Sequence, residues 1–115
     1  LGGRLSLVAA NNFPNRFRCV ASYYASGIDA CLASFDGLNV PTQIVFAGKS
    51  LFASEQSFSR IERALRSNNR HVQRLDYSEA AHNFLDATDR NYDPLLAADA
   101  LYKTFDFIAS NSAAA

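Results

Sequence analysis

A short apolar run in the middle of the chain, Gln43 to Ala47 with the sequence QIVFA, constrains the fold more than any other stretch. Pro41 precedes it, and a Gly-Lys-Ser turn closes it. A continuous run of this length is typical of a parallel strand that is covered on both faces. The sequence therefore predicts a buried strand inside a layered α/β structure.

Helices and strands alternate on both sides of this run. The predicted elements, in chain order, are an opening helix that ends at Asn11-Asn12, a strand from Phe17 to Tyr24, the QIVFA strand, a helix from Ser54 to Ser67, an edge strand from His71 to Tyr77 and a helix that starts at Asp93-Pro94. Such alternation indicates βαβ units and a parallel sheet with helices on both faces. The last helix has one broad apolar face, made by Leu95, Ala98, Leu101, Tyr102, Phe105 and Ile108.

Length and composition limit the possible functions. The chain has 115 residues, enough for one domain, and its formal net charge of zero gives no bulk attraction for nucleic acid or an anionic membrane. Cys19 and Cys31 occur without a CxxC or a His/Cys cluster, which favours free thiols over a disulfide framework or a zinc site. No apolar run reaches the roughly 18 to 20 residues of a membrane span. We predict a cytoplasmic protein without a metal or cofactor.

His82 is the residue with the clearest chemical potential. It follows the predicted edge strand and a turn of small residues, Ser78 to Ala81. Imidazole titrates near neutrality, and a loop at the end of a strand can direct it into a cleft. A half-buried loop histidine without a chemical role is the alternative interpretation of this stretch alone.

Four segments together resemble a known family. They are the opening LGGR, the segment SYY from Ser22 to Tyr24, PTQIVFAGKS, and AHNFLDATDRNYDPLLAADALYKTFDFI. In this order they are similar to the C-terminal half of the dienelactone hydrolase family, whose members are α/β-hydrolases. LGGR resembles the residues just after the nucleophile in the family elbow, G-x-C-x-G-G or G-x-S-x-G-G, and the last segment resembles the catalytic-histidine loop and final helix. The resemblance implies a single domain over 1–115 with a partial α/β-hydrolase fold, about three parallel strands flanked by helices.

The resemblance also implies roles for individual residues. His82 corresponds to the catalytic base, and the Leu1 amide to an oxyanion-hole donor, the backbone N–H after the nucleophile. Ser50 occupies the position of the usual triad acid, after the seventh strand of the family. Phe84 is expected to line an apolar acyl pocket. The implied reaction is ester or lactone hydrolysis through an acyl-enzyme, with a small-molecule ester or lactone as substrate.

The sequence departs from the family pattern at several points. The nucleophile would be the residue before Leu1, and Ser50 cannot stabilise an imidazolium as a carboxylate does. Asp29 or Asp36, after the preceding strand, is a possible substitute acid. Ala81 precedes the histidine where the family usually has glycine. We therefore expect the chain to need a partner, either the N-terminal half of the domain or a second copy, that covers its open sheet edge.

Two other functions are compatible with the sequence. Without its acid, the chain could be a non-catalytic scaffold or interaction protein with a hydrolase fold. Alternatively, arginines at three- and four-residue spacing could make a phosphate-tracking stripe, if the helix continued through Asn68-Asn69. These arginines are Arg60, Arg63, Arg66, Arg70 and Arg74. The break at the asparagines and the zero net charge argue against the second function, so we expect no nucleic acid as a partner.

Overall fold

The fold is a three-stranded parallel sheet with helices on both faces. The computed structural model describes residues 2–13, 15–25, 38–50, 54–67 and 69–112. Within these residues the elements are α1 (Gly2–Asn12), β1 (Val20–Tyr23), β2 (Thr42–Ala47), α2 (Glu55–Arg66), β3 (Val72–Tyr77) and α3 (Pro94–Ser112). The sheet order is β1-β2-β3, and both pairings are parallel. This architecture confirms the predicted α/β fold class.

The central strand β2 is buried along its whole length, as the QIVFA run predicts. Its Val45 lies opposite Tyr23 of β1 and Leu75 of β3. The predicted strand from Phe17 is too long, because β1 begins only at Val20. Pairing starts there because the partner strand begins at Thr42, directly after a proline that has no N–H to donate.

One face of the sheet is covered by α1 and α2. Ser54 caps α2, since its hydroxyl accepts the Ser57 N–H at 3.1 Å. Phe58, Ile61 and Leu65 recur at helical spacing and are buried in one cluster with apolar residues of α1 and of β2. The structure therefore confirms that helices cover this face of the sheet, and it confirms the predicted bounds of α2.

Arg74 of β3 lies against this same face. Its guanidinium lies 5.5 Å from the ring centroid of Phe46 and 5.3 Å from that of Phe58. It also pairs with three carboxylates, those of Glu55, Glu62 and Asp76. The α2 helix ends at Arg66, so the five arginines of the predicted basic stripe do not share one helix, and the stripe interpretation is wrong.

The other face of the sheet is covered by α3 through small and polar residues. Ala97, Ala100 and Thr104 are the buried positions of this helix. Thr104 donates to the side-chain oxygen of Gln43 at 2.7 Å and is also hydrogen-bonded to the hydroxyl of Tyr23. The helix is therefore fixed to β1 and β2 by a buried polar network as well as by packing.

The broad apolar face of α3 points away from the sheet. Leu95, Tyr102 and Phe105 are 82%, 73% and 65% exposed, and Leu101 and Ile108 are also exposed. The predicted apolar face exists, but it does not contribute to the core of the described residues. Within those residues, no helix has the length and the apolar content needed to cross a bilayer.

Gly48 provides a stability test of the contact between the turns that follow β2 and β3. A Cβ at Gly48 would lie 2.5 Å from both Cα and the carbonyl oxygen of Ser78. We predict that Gly48→Ala lowers the free energy of unfolding by about 1–3 kcal/mol, because backbone must move to admit the methyl group. The measurement is the midpoint of urea unfolding.

Gly2→Ala is the matched control for this substitution. Nothing lies within 4 Å of a Cβ at Gly2, so this change should be neutral or stabilising by up to about 1 kcal/mol. Equal unfolding midpoints for the Gly48→Ala variant and the unmodified chain would contradict the predicted clash.

Candidate active site

The histidine loop starts from a fixed point at the end of β3. The strand ends at Tyr77, and the turn that follows leads through Ala80 to His82. The Gly48 N–H donates to the Tyr77 carbonyl at 2.8 Å, and the Lys49 N–H donates to the Ala80 carbonyl at 2.9 Å. The turn after β2 thus holds the turn after β3, which positions the start of the loop.

The first turn of α1 lies directly against the end of β1. A Cβ at Gly3 would lie 2.2 Å from the Tyr23 carbonyl oxygen and 2.9 Å from the Ala25 nitrogen, so only glycine permits this approach. The Gly3 carbonyl also accepts the Ser22 hydroxyl at 2.7 Å and the Ser6 hydroxyl at 2.8 Å. The glycine in the opening LGGR segment therefore has a structural reason: it brings the amino end of α1 to the carboxyl edge of the sheet.

An open cavity of about 370 Å³ lies between the amino end of α1 and the histidine loop. Its lining residues are Gly2, Gly3, Ser6, Ala21, Tyr23, Tyr24, His82 and Asn83. The cavity brings His82 together with the helix terminus that the sequence resemblance places beside a nucleophile. The backbone N–H groups of a first helical turn are positively polarised, so this end of the cavity favours developing negative charge.

The backbone around His82 is held by asparagine side chains. Asn83 has a φ of 65°, a left-handed conformation that asparagine tolerates better than most residues. Its amide donates to Asp89 at 3.3 Å, and the Asn91 amide donates to the His82 carbonyl at 3.3 Å. Ala81, where the family usually has glycine, is not a positive-φ residue, so the departure there does not strain the loop.

The environment of the imidazole favours its neutral form. The His82 side chain is half-buried, and its Nδ1 atom is shielded from solvent. Burial lowers the pKa of His82 below its ordinary value of 6.5, while the Asp89 carboxylate opposes this effect. A neutral imidazole at pH 7 can accept a proton, which is what a general base must do.

Phe84 does not line the cavity. Its ring is fully buried, 5.6 Å from the ring centroid of Tyr24 and 5.2 Å from that of Tyr77. Phe84 therefore packs in the core, beneath the residues that face the cavity, and does not line an acyl pocket as predicted. The two residues before it, His82 and Asn83, line the cavity instead.

The remaining predicted residues have different outcomes. Ser50 lies half-buried in the turn after β2, where its N–H donates to the Ala47 carbonyl at 3.1 Å; this is the turn that holds the histidine loop. Leu1 and the two candidate acids Asp29 and Asp36 lie outside the described residues. Their roles stay predictions.

Sequence analysis did not identify three residues of the site, namely Ser6, Asn83 and Asp89. Ser6 and Asn83 face the cavity, and Asp89 is the described carboxylate whose charge acts on His82. Asn83 could have been found, since asparagine in a loop tolerates a left-handed backbone better than most residues. Among the described residues, no group of three or more His, Cys, Asp or Glu side chains could hold a metal ion.

Comparison with known proteins supports the fold described above. The sequence model of the dienelactone hydrolase family matches residues 1–112. A crystal structure described as a putative dienelactone hydrolase from Klebsiella pneumoniae subsp. pneumoniae MGH 78578 superposes with a TM-score of 0.81 at 19% identity, which shows a shared fold. The match covers 93% of this chain and 48% of that one, so the chain spans about half the length of its structural neighbour. None of the curated proteins that were compared matches the chain.

The lowered pKa of His82 predicts a pH dependence of stability. Below pH 6.5 the unfolded chain binds a proton at this histidine before the folded chain does, so the free energy of unfolding should fall as the pH decreases from 6.5 through the folded pKa. The imidazole should titrate below 6.5 when its ring protons are followed by NMR, with His82→Gln identifying the resonance. A midpoint at or above 6.5 would contradict the burial argument.

Proposed function

The chain belongs to the dienelactone hydrolase family, and we propose that it contributes the catalytic histidine and one wall of the active site to an ester- or lactone-hydrolysing enzyme. One observation carries this proposal: the cavity that joins His82 to the first turn of α1. A histidine beside a helix terminus combines a proton acceptor with donors for a developing oxyanion.

The proposed reaction is acyl transfer in two halves. A Cys or Ser nucleophile directly before Leu1 attacks the carbonyl carbon of the ester, and its proton passes to the His82 imidazole. The carbonyl oxygen becomes an oxyanion beside the amino end of α1, where the Leu1 amide is the proposed donor. His82 then protonates the leaving alkoxide, an acyl-enzyme forms, and water activated by the same imidazole hydrolyses it.

The proposed substrate is a small-molecule ester or lactone. Two residues with polar side chains, Ser6 and Asn83, line the cavity together with the aromatic Tyr23 and Tyr24. The acid that orients the imidazole is proposed to come from Asp29 or Asp36, or to be replaced by the polar turn at Ser50. The cytoplasm stays the proposed location, supported by the free thiol of Cys19.

We propose that the open surfaces of the chain are covered by polypeptide equivalent to the first half of a family domain. Two features support this occupant: β1 pairs on one side only within the described residues, and α3 exposes a row of large apolar side chains. The structural neighbour is about twice as long as this chain, so its fold contains the corresponding additional half. When that half is absent, the same surfaces should associate with one another.

Sedimentation velocity of the 115-residue chain alone tests this coverage. We predict concentration-dependent oligomers, and a shift towards monomer in Phe105→Lys, because the substitution places a charge in the apolar face of α3. Gln56→Lys adds the same charge to an exposed position of α2 and should leave the distribution unchanged. A stable monomer at all concentrations would contradict the proposal that these surfaces need to be covered.

Ester hydrolysis tests the catalytic role. In the complete protein that contains these residues together with a nucleophile segment, His82→Ala should lower kcat for a chromogenic ester by at least about 10²-fold, because the general base is lost. His71→Ala, which removes an exposed imidazole just before β3, is the control and should retain activity. Turnover that survives in His82→Ala would refute the assignment, and no turnover in either form would favour the scaffold function.

A further inference from the structure

Tyr24 adopts a backbone conformation that tyrosine normally avoids. It follows the last residue of β1 and has a φ of 56°, in the left-handed region. Its N–H is held by the Val45 carbonyl at 3.1 Å, which extends the pairing with β2 by one residue. An unfavourable backbone at the edge of a cavity suggests that the direction of this side chain matters for the site.

The side chain of Tyr24 contacts three residues of the histidine loop. Its ring centroid lies 5.1 Å from that of His82 and 5.6 Å from that of Phe84, and its hydroxyl accepts the Leu85 N–H at 3.1 Å. The contacts to His82 and Leu85 bracket Asn83, the residue with the left-handed backbone. One tyrosine thus ties the end of β1 to the whole segment that carries the imidazole.

We propose that Tyr24 is the positioning residue for His82: its ring sets the tilt of the imidazole, and its hydroxyl fixes the loop that follows. The inference rests on the proposed function for its catalytic meaning, but its structural part stands on these contacts alone. The Asn91 amide and the pair of Asn83 with Asp89 hold the loop through its own residues, and Tyr24 holds it from the end of β1.

The chemistry of the phenol fits positioning rather than proton transfer. Burial raises the pKa of Tyr24 to about 12, and the hydrogen bond from Leu85 only partly opposes this. The hydroxyl therefore stays protonated and neutral over the range in which an imidazole titrates, and it does not compete with His82 for the proton. Its ring also shields His82 from water, and that shielding keeps the imidazole neutral.

Two substitutions separate the ring from the hydroxyl. Tyr24→Phe keeps the ring, so the Leu85 amide should exchange with solvent about 2- to 10-fold faster while the titration of His82 stays close to that of the unmodified chain. Tyr24→Leu removes the ring, so the midpoint of His82 should move up towards 6.5 as water gains access. The Asp89 carboxylate, the described charged group that acts on His82, is unchanged in both variants.

Kinetics provide the catalytic readout in the active complete protein. Tyr24→Leu should lower kcat about 10²-fold with KM little changed, and should move the acid limb of the pH profile to higher pH, because a misplaced base slows chemistry more than binding. Tyr92→Phe and Tyr92→Leu make the same changes at a half-exposed ring in the same loop and should leave kcat and the pH profile unchanged.

The possible outcomes distinguish the positioning role of Tyr24 from the proposed hydrolase function. Unchanged Leu85 exchange and unchanged His82 titration in Tyr24→Leu would overturn the positioning role whether or not the protein is an esterase. A raised KM with unaltered kcat would also overturn it, since Tyr24 would then bind substrate instead. A complete protein without turnover whose His82 still responds to Tyr24→Leu would refute the hydrolase proposal and leave the structural part of this inference intact.

Discussion

The parallel pairing of β2 with both neighbours is the constraint on which the rest of the structure depends. Because all three strands run in the same direction, their carboxyl ends meet at one edge, and the segments that leave them become neighbours. Tyr24 leaves β1 and His82 follows β3 at this edge, on either side of the turn after β2. The amino end of α1 reaches the same place only because Gly3 has no side chain.

The sequence was most informative where the spacing of apolar residues determines the type and position of a helix or strand. The buried β2, the capped α2 and the order of elements followed from hydrophobic pattern and from a single serine cap. His82 was identifiable because of its place after a strand, and the family resemblance supplied the rest. The site geometry was less predictable: Asn83, which has a left-handed backbone, lines the cavity, whereas the adjacent Phe84 is buried. Such a backbone conformation costs about 1–3 kcal/mol. Here it is flanked by contacts of Tyr24 with His82 and Leu85, which join residues far apart in the sequence and which a local pattern cannot include.

The apolar face of α3 shows a second limit of pattern analysis. Its three- and four-residue spacing predicted a face of the right width, but spacing alone does not say what that face contacts. In the described residues the helix packs through Ala97, Ala100 and Thr104, the smaller side chains, and leaves Tyr102 and Phe105 exposed. Small residues let the helix approach the sheet closely, whereas the large ones remain available for other polypeptide.

Gln43 has a consequence for folding accuracy that goes beyond the site. Its amide is buried near the start of β2, where it donates to Gln73 at 2.8 Å and accepts from Thr104 at 2.7 Å. A slip of α3 by one turn along the sheet would leave this amide desolvated without its hydroxyl partner, at a cost of about 1–3 kcal/mol. The net stabilisation of the folded state by such a network is small. The loss of its hydrogen bonds, however, raises the free energy of every docking position in which α3 is shifted. The glutamine therefore favours one docking position of α3 over its shifted alternatives, which a leucine at the same position would not do.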